Sequence, residues 1–316
     1  MICLTGDIHH MSLRINEQAF LPAGDSEVGV ALRYLRLLEE LGVKVTFYIT
    51  GRTLEEEWES FRPIAESPLV EIGGHTYAGL PRSRWSVLRA RLAGRPTVSH
   101  ARSHGSRRRQ LADAARMVEA VRRRTGRRIS SWRSHGLVRD RHTERILAGC
   151  GLGSISDDLA WDKLLPERTP AGLVSLPLNV IMDHDHIYHA HRTPEYVDRQ
   201  KARWTFVQDP TRESYPIEAW GEMVVRQVSA IEARGGLATV LMHPLCMFVA
   251  DGFRTARRLL GFFARSRCLW ASEAAELVPG GLAPGGPAPG GLATGGSAPG
   301  GPAPGAGSAK EGLHGA

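Results

Sequence analysis

The chain opens Ile2-Cys3-Leu4-Thr5-Gly6-Asp7-Ile8-His9-His10. Ile2 and Leu4 begin a short strand, and Gly6-Asp7 ends it. Its C-terminal end therefore carries a carboxylate and two imidazoles. In extended chain Asp7 and His9 share a side, because side chains alternate with period two. The pattern recurs downstream. Val43, Val45, Phe47 and Ile49 alternate up to Gly51. Val70-Glu71-Ile72-Gly73-Gly74 runs into His75. Ile129 to Arg133 reads as a fourth strand, Gly153 to Asp157 as a fifth and Leu173 to Met182 as a sixth, with Pro177 favouring an edge or bend. Leu237 to Met242 precedes His243, and Cys268 to Ala271 is a short eighth.

Helical patterns fill the intervals. Asp25-Ser26-Glu27 is a helix start. Val28, Ala31, Leu32, Leu35 and Leu38 follow at helical spacing, and Gly42 stops them. Further helices are read over 54–65, 107–125, 141–149, 216–234 and 251–264. Strands alternating with helices predict a parallel α/β fold. In a parallel barrel the strand C-termini converge on one mouth. Asp7, His75, Arg133, Asp157 and His243 are predicted to meet there.

The 316 residues hold 42% hydrophobic and 23% charged side chains. That excludes a wholly disordered chain, and no apolar run is long enough to span a membrane. From Pro279 the sequence falls into repeats such as PGGLA and PGGPA, which cannot bury enough side chain to offset their ordering entropy. The organisation predicted is a domain over 1–278 and a disordered Gly/Pro/Ala-rich tail over 279–316. The four cysteines form no CxxC pair, and Met1 leads directly into strand residues. Reduced thiols and a cytoplasmic setting are expected. The net charge is +7, and only four of the 40 basic residues are lysine. The runs Arg107-Arg108-Arg109 and Arg122-Arg123-Arg124 lack interleaved aromatics, so they read as a solvated basic face and no nucleic-acid partner is expected.

Five segments carry a resemblance in the correct order over about residues 1–277. Thr5-Gly6-Asp7-Ile8-His9, Gly74-His75-Thr76-Tyr77, Trp132-Arg133-Ser134-His135, Asp157 to Trp161 and Leu241-Met242-His243-Pro244 resemble the motifs of the polysaccharide deacetylases, the NodB-homology group of carbohydrate esterase family 4. The resemblance implies a distorted (β/α) barrel of about seven parallel strands. It implies a hydrolase of C–N amide bonds, with metal-dependent deacetylation of an N-acetyl sugar or related intracellular metabolite foremost. Asp7 would be the general base, His243 the general acid and Arg133 the partner that tunes Asp7. His9 and His75, with His10 as a substitute, would hold a divalent metal ion, zinc by ligand type. His135, Asp157, Trp161 and Tyr77 would line the site for a carbohydrate or small-molecule substrate.

The sequence departs from the family pattern at three of these motifs, and in the first His9 stands where the family has an acidic ligand. The position four residues beyond His75, a second histidine in the family, is Gly79, and Ser134-His135 stands where the third motif has proline. His100 and His104 offer another pair at four-residue spacing. Asp183, His184, Asp185, His186, His189 and His191 have a metal-like composition. They read as a polar surface loop, with one or two groups reaching the mouth as the alternative. Other activities stay open from the residues alone: a metal-independent amidohydrolase of a small non-sugar substrate, an inactive sugar-binding barrel, or a nucleic-acid binder using the arginine runs.

Overall fold

The computed structural model describes residues 1–79, 92, 105–204 and 206–279. One compact unit runs Met1–Gly281. Its strands are β1 (Ile2–Ile8), β2 (Val45–Ile49), β3 (Val70–Gly74), β4 (Ser131–Trp132), β5 (Ser154–Ile155), β6 (Glu167–Arg168), β7 (Val174–Ser175) and β8 (Ala238–Leu241). They form one curled sheet in the order β6-β7-β5-β4-β3-β2-β1-β8. Only β6 pairs antiparallel, with β7. The other seven run parallel, as a distorted (β/α) barrel. Strands β1 and β2 are buried along their whole length. A parallel strand covered on both faces requires that.

Among the described residues the helices are α1 (Glu27–Leu41), α2 (Gly51–Glu56), α3 (Trp58–Glu66), α4 (Arg107–Thr125), α5 (Thr143–Gly149), α6 (Pro194–Gln200), α7 (Ile217–Ala233), α8 (Pro244–Asp251), α9 (Arg254–Phe263) and α10 (Ala271–Ala275). Helix α1 follows its sequence signals closely. The Ser26 hydroxyl accepts from the Gly29 N–H at 3.1 Å, capping the first turn. Val28, Ala31, Leu35 and Leu38 bury one face, and Gly42 ends the helix at φ 66°. No described helix is long and apolar enough to cross a membrane.

Several predicted elements differ. The helix read over 54–65 is two helices, broken at Glu57, whose φ of −134° leaves the helical region. The sixth strand shrinks from Leu173–Met182 to Val174–Ser175. Pro177 offers no N–H to a sheet ladder, so the regular ladder stops before it, and pairing resumes only as an isolated parallel bridge between Leu178 and Leu159. Cys268–Ala271 supplies one isolated bridge to Ile2. The hairpin strand β6 and helices α6, α8 and α10 have no counterpart in the sequence reading; α8 starts on Pro244, which suits a first helical turn. The tail, apart from Pro279, and the pair His100 and His104 lie outside the described residues. The arginine runs sit at the two ends of α4. There Arg122 pairs with Glu119 at 2.9 Å and Arg123 with Glu55 at 3.7 Å. All four cysteines are unpaired thiols.

Candidate active site

Asp7 lies near the C-terminal end of β1 and Arg133 just beyond β4. The Arg133 guanidinium is fully buried. It donates to Asp7 Oδ1 at 3.0 Å, to Thr5 Oγ1 at 3.0 Å, and to Ser156 through Oγ at 2.8 Å and the carbonyl at 3.1 Å. Thr5 and Asp7 therefore share one face of β1, as period two requires. The Tyr48 ring lies 4.4 Å from the guanidinium carbon and closes its flat side. Burial alone would raise the Asp7 pKa. His75, Arg133 and His243 overcome it and hold the carboxyl well below the usual range. Burial holds His75 neutral, with its pKa down at about 3, so near neutrality Arg133 is the lasting cation of the first two.

His243 lies just beyond the neighbouring strand β8. The following proline forces it into extended backbone (φ −74°, ψ 128°) at the start of α8. Its Nδ1 lies 2.7 Å from Asp183 Oδ1, and its backbone N–H donates to the same carboxylate. With Nδ1 committed to Asp183, Nε2 faces Asp7 Oδ2 at 3.4 Å. Burial would lower the His243 pKa. Asp183 and then Asp7 reverse that and raise it well above the usual histidine value. The segment read as a polar surface loop is thus buried where it begins: Asp183 and His186 are fully enclosed. Asp183 backs His243, and His186 Nε2 meets Asp209 at 2.8 Å.

Three imidazoles gather beside this pair. The rings of His9, His75 and His135 form a triangle with centroids 5.1, 5.2 and 5.1 Å apart. Each offers one ligand atom, and those atoms lie within 4.8 Å of one another. His75 Nδ1 lies 2.9 Å from the Arg133 carbonyl, which can only accept, so the proton sits on Nδ1 and Nε2 is the bare nitrogen. Nε2 lies 3.7 Å from Asp7 Oδ2. His9 Nδ1 meets Glu27 Oε1 at 2.9 Å, an oxygen that also accepts the His9 backbone N–H. Gln18 holds the other Glu27 oxygen at 2.8 Å. Two of the three rings thus have Nδ1 committed to an oxygen, the usual outer support of a metal-binding histidine. The donor set fits a divalent cation of zinc type.

The remaining candidates are placed around this centre. His10 is not in the triangle: its Nδ1 lies 2.8 Å from Thr50 Oγ1, and burial lowers its pKa to about 4. Asp157 Oδ1 accepts the Ser134 N–H at 2.7 Å, which braces the turn bearing His135. Burial raises its pKa to about 6. The Tyr77 hydroxyl donates to Glu55, and Arg116 covers its ring at 3.7 Å. Trp161 is half-buried and donates to the Gln208 carbonyl at 3.0 Å. The geometry puts neither Tyr77 nor Trp161 in the histidine triangle.

Residues 24–155 match the family model described as polysaccharide deacetylase. That segment is similar to the polysaccharide deacetylases. The chain folds like a Mycobacterium smegmatis protein assigned as a polysaccharide deacetylase, with 21% identity and a TM-score of 0.61 over 87% of this chain and 88% of that one. It also folds like the Puue allantoinase, with 12% identity and a TM-score of 0.55 over 87% and 89%. A Pseudomonas aeruginosa PAO1 protein assigned as a polysaccharide deacetylase matches with 14% identity and a TM-score of 0.53 over 85% and 87%. At such identities the likeness is one of fold. No curated protein matches the sequence.

Gly79, inside the matched segment, has a physical explanation. Its φ is 69°, and a Cβ there would lie 2.7 Å from Leu13 Cδ1. The preceding turn is tight: Thr76 sits at φ 63°, an uncommon value for a threonine, and its Oγ1 accepts the Gly79 N–H at 2.8 Å. A histidine does not fit there without rebuilding the turn. His135, from the segment that replaces the family's proline motif, completes the triangle instead. Gly79→His is therefore expected to leave cation affinity no higher. It should also destabilise the fold by at least the roughly 1–2 kcal/mol cost of a left-handed side chain. Calorimetric metal titration and thermal melting measure both. Tighter binding at unchanged Tm would mean that the turn accepts the family histidine.

Two supporting residues escaped the sequence reading. Glu27 was read only as part of a helix start, and Asp183 only as part of a histidine-rich loop. The one signal for Asp183 was its place just beyond a predicted strand, the position shared by the other reactive groups.

Proposed function

We propose that this protein hydrolyses the acetamido group of an N-acetylated sugar, or a similar small amide, with a divalent cation held by His9, His75 and His135. One observation carries the reading. Asp7 Oδ2 lies 3.4 Å from His243 Nε2 and 3.7 Å from His75 Nε2, so a base, an acid and a ligand set share one centre.

A bound cation would supply Lewis acidity toward the amide carbonyl and make a water easier to deprotonate. Asp7 accepts the water proton at Oδ2 while Arg133 holds Oδ1. The new C–O bond gives a tetrahedral adduct. An amide nitrogen leaves poorly until protonated, and His243 delivers its Nε2 proton there as the C–N bond breaks. Asp183 keeps that imidazole charged and aimed. The products are a carboxylate and a free amine.

The test is acetate release from a panel of N-acetylated sugars and short glycans, before and after chelation. Turnover is expected to fall to background on removing the metal and to return with added zinc. Undiminished turnover in metal-free protein would remove the cation from the reading.

A further inference from the structure

A second group of ligating side chains lies outside the reaction centre. His184, His189 and Cys246 each offer one ligand atom, and these atoms lie within 4.8 Å of one another. Cys246 Sγ lies 3.8 Å from His184 Nδ1, and the two imidazole centroids are 6.3 Å apart. His189 Nδ1 lies 3.0 Å from the Ile187 carbonyl, so its proton sits there and Nε2 is bare. That Nε2 is buried without a hydrogen-bond partner among the described residues, on a side chain only 6% exposed. A buried acceptor with nothing to accept is costly.

We propose that His184, His189 and Cys246 form a second cation site, suited to zinc or another borderline transition metal. A bound cation gives the bare His189 nitrogen a partner. Mixed imidazole and thiolate ligands suit zinc, and three protein ligands leave a position for water or a carboxylate. Glu17 borders the group: its Oε1 also lacks a hydrogen-bond partner among the described residues, and it lies 3.3 Å from His191 Nδ1. The local field has the right sign. Asp183, Glu17, Glu27 and Asp185 surround the Cys246 thiol with negative charge. The same negative charge attracts a cation, and a coordinating thiol gives up its proton.

A competing set, Asp183 with His243 and Cys246, meets the same distance criterion. Its Asp183 oxygens are already engaged by His243 Nδ1 and by the backbone N–H groups of His184 and His243. The second site therefore falls behind the acid rather than on it. The His184 and His243 rings are 5.6 Å apart.

Cobalt substitution in the full-length protein separates the two sites, because only the second contains sulfur. Cobalt-loaded protein is expected to bind about two equivalents and to show a thiolate-to-cobalt charge-transfer band in the near ultraviolet. Cys246→Ser should abolish the band and remove one equivalent. His189→Gln, which keeps the thiol, should weaken cobalt binding at this site at least tenfold. His75→Ala should keep the band. Cobalt bound with no sulfur band, or a band that survives Cys246→Ser, would overturn the second site. One equivalent carrying the sulfur band would support it while removing the first site.

Discussion

Asp7→Asn is expected to lower turnover of an N-acetylated substrate by about 10²–10⁴-fold, the usual worth of a positioned base. The substitution keeps the shape and one carbonyl acceptor for Arg133, so the hydrogen bond to Arg133 can persist. It removes the only carboxylate among the described residues that meets Arg133, His75 and His243 at once. There is also a structural cost. The fully buried Arg133 loses its anion, and stripping one partner from such a pair costs about 3–5 kcal/mol. The two effects separate experimentally, by kcat on folded protein well below Tm and by thermal melting. Near-normal kcat in a folded Asp7→Asn protein would remove Asp7 from the chemistry and leave it a structural counter-ion.

His243→Gln is expected to cost a similar factor and to change the pH profile. The His243 pKa is raised, so the proton-donating form is fully present at neutral pH, and the rate should fall only as pH rises through that raised value. The Asp7 pKa is depressed, so its base form persists well into acid, and the rate should fall only as pH drops through that low value. The wild-type profile should thus be broad. Glutamine has no titrating proton, so the variant should lose the alkaline limb and keep the acid one. An unchanged alkaline limb in His243→Gln would assign it to another group. The ion pairs follow the same signs. The contribution of His243 with Asp183 and Asp7 to stability is complete below the ordinary histidine pKa and is lost as pH rises through the raised one.

The architecture was legible because its signals are local. The alternation in Val45–Ile49 and the capped periodicity of Glu27–Leu41 depend on neighbours in sequence, and both elements form as predicted. The recurrence of reactive residues at strand ends also carried over, since parallel strands bring those ends together. What escaped depends on contacts between distant residues. Nothing near Glu27 in the sequence indicates that its carboxylate will hold His9, eighteen residues away. Asp183 supports His243 across sixty residues. His135 was expected to face substrate. Its place beside His9 and His75 depends on how the Ser134 turn is braced by Asp157, a relation that spacing does not encode. Gly79 registered as a departure from the family pattern, yet its reason, a left-handed turn against Leu13, appears only in three dimensions.

The most direct measurement is an anomalous-difference map from crystals of the full chain grown with zinc, recorded on both sides of the zinc absorption edge. A peak bonded to His9, His75 and His135, with Asp7 and His243 facing it, is the expected result. Zinc bound elsewhere while that triangle stays without a peak, or held by His10 in place of His135, would contradict the assignment.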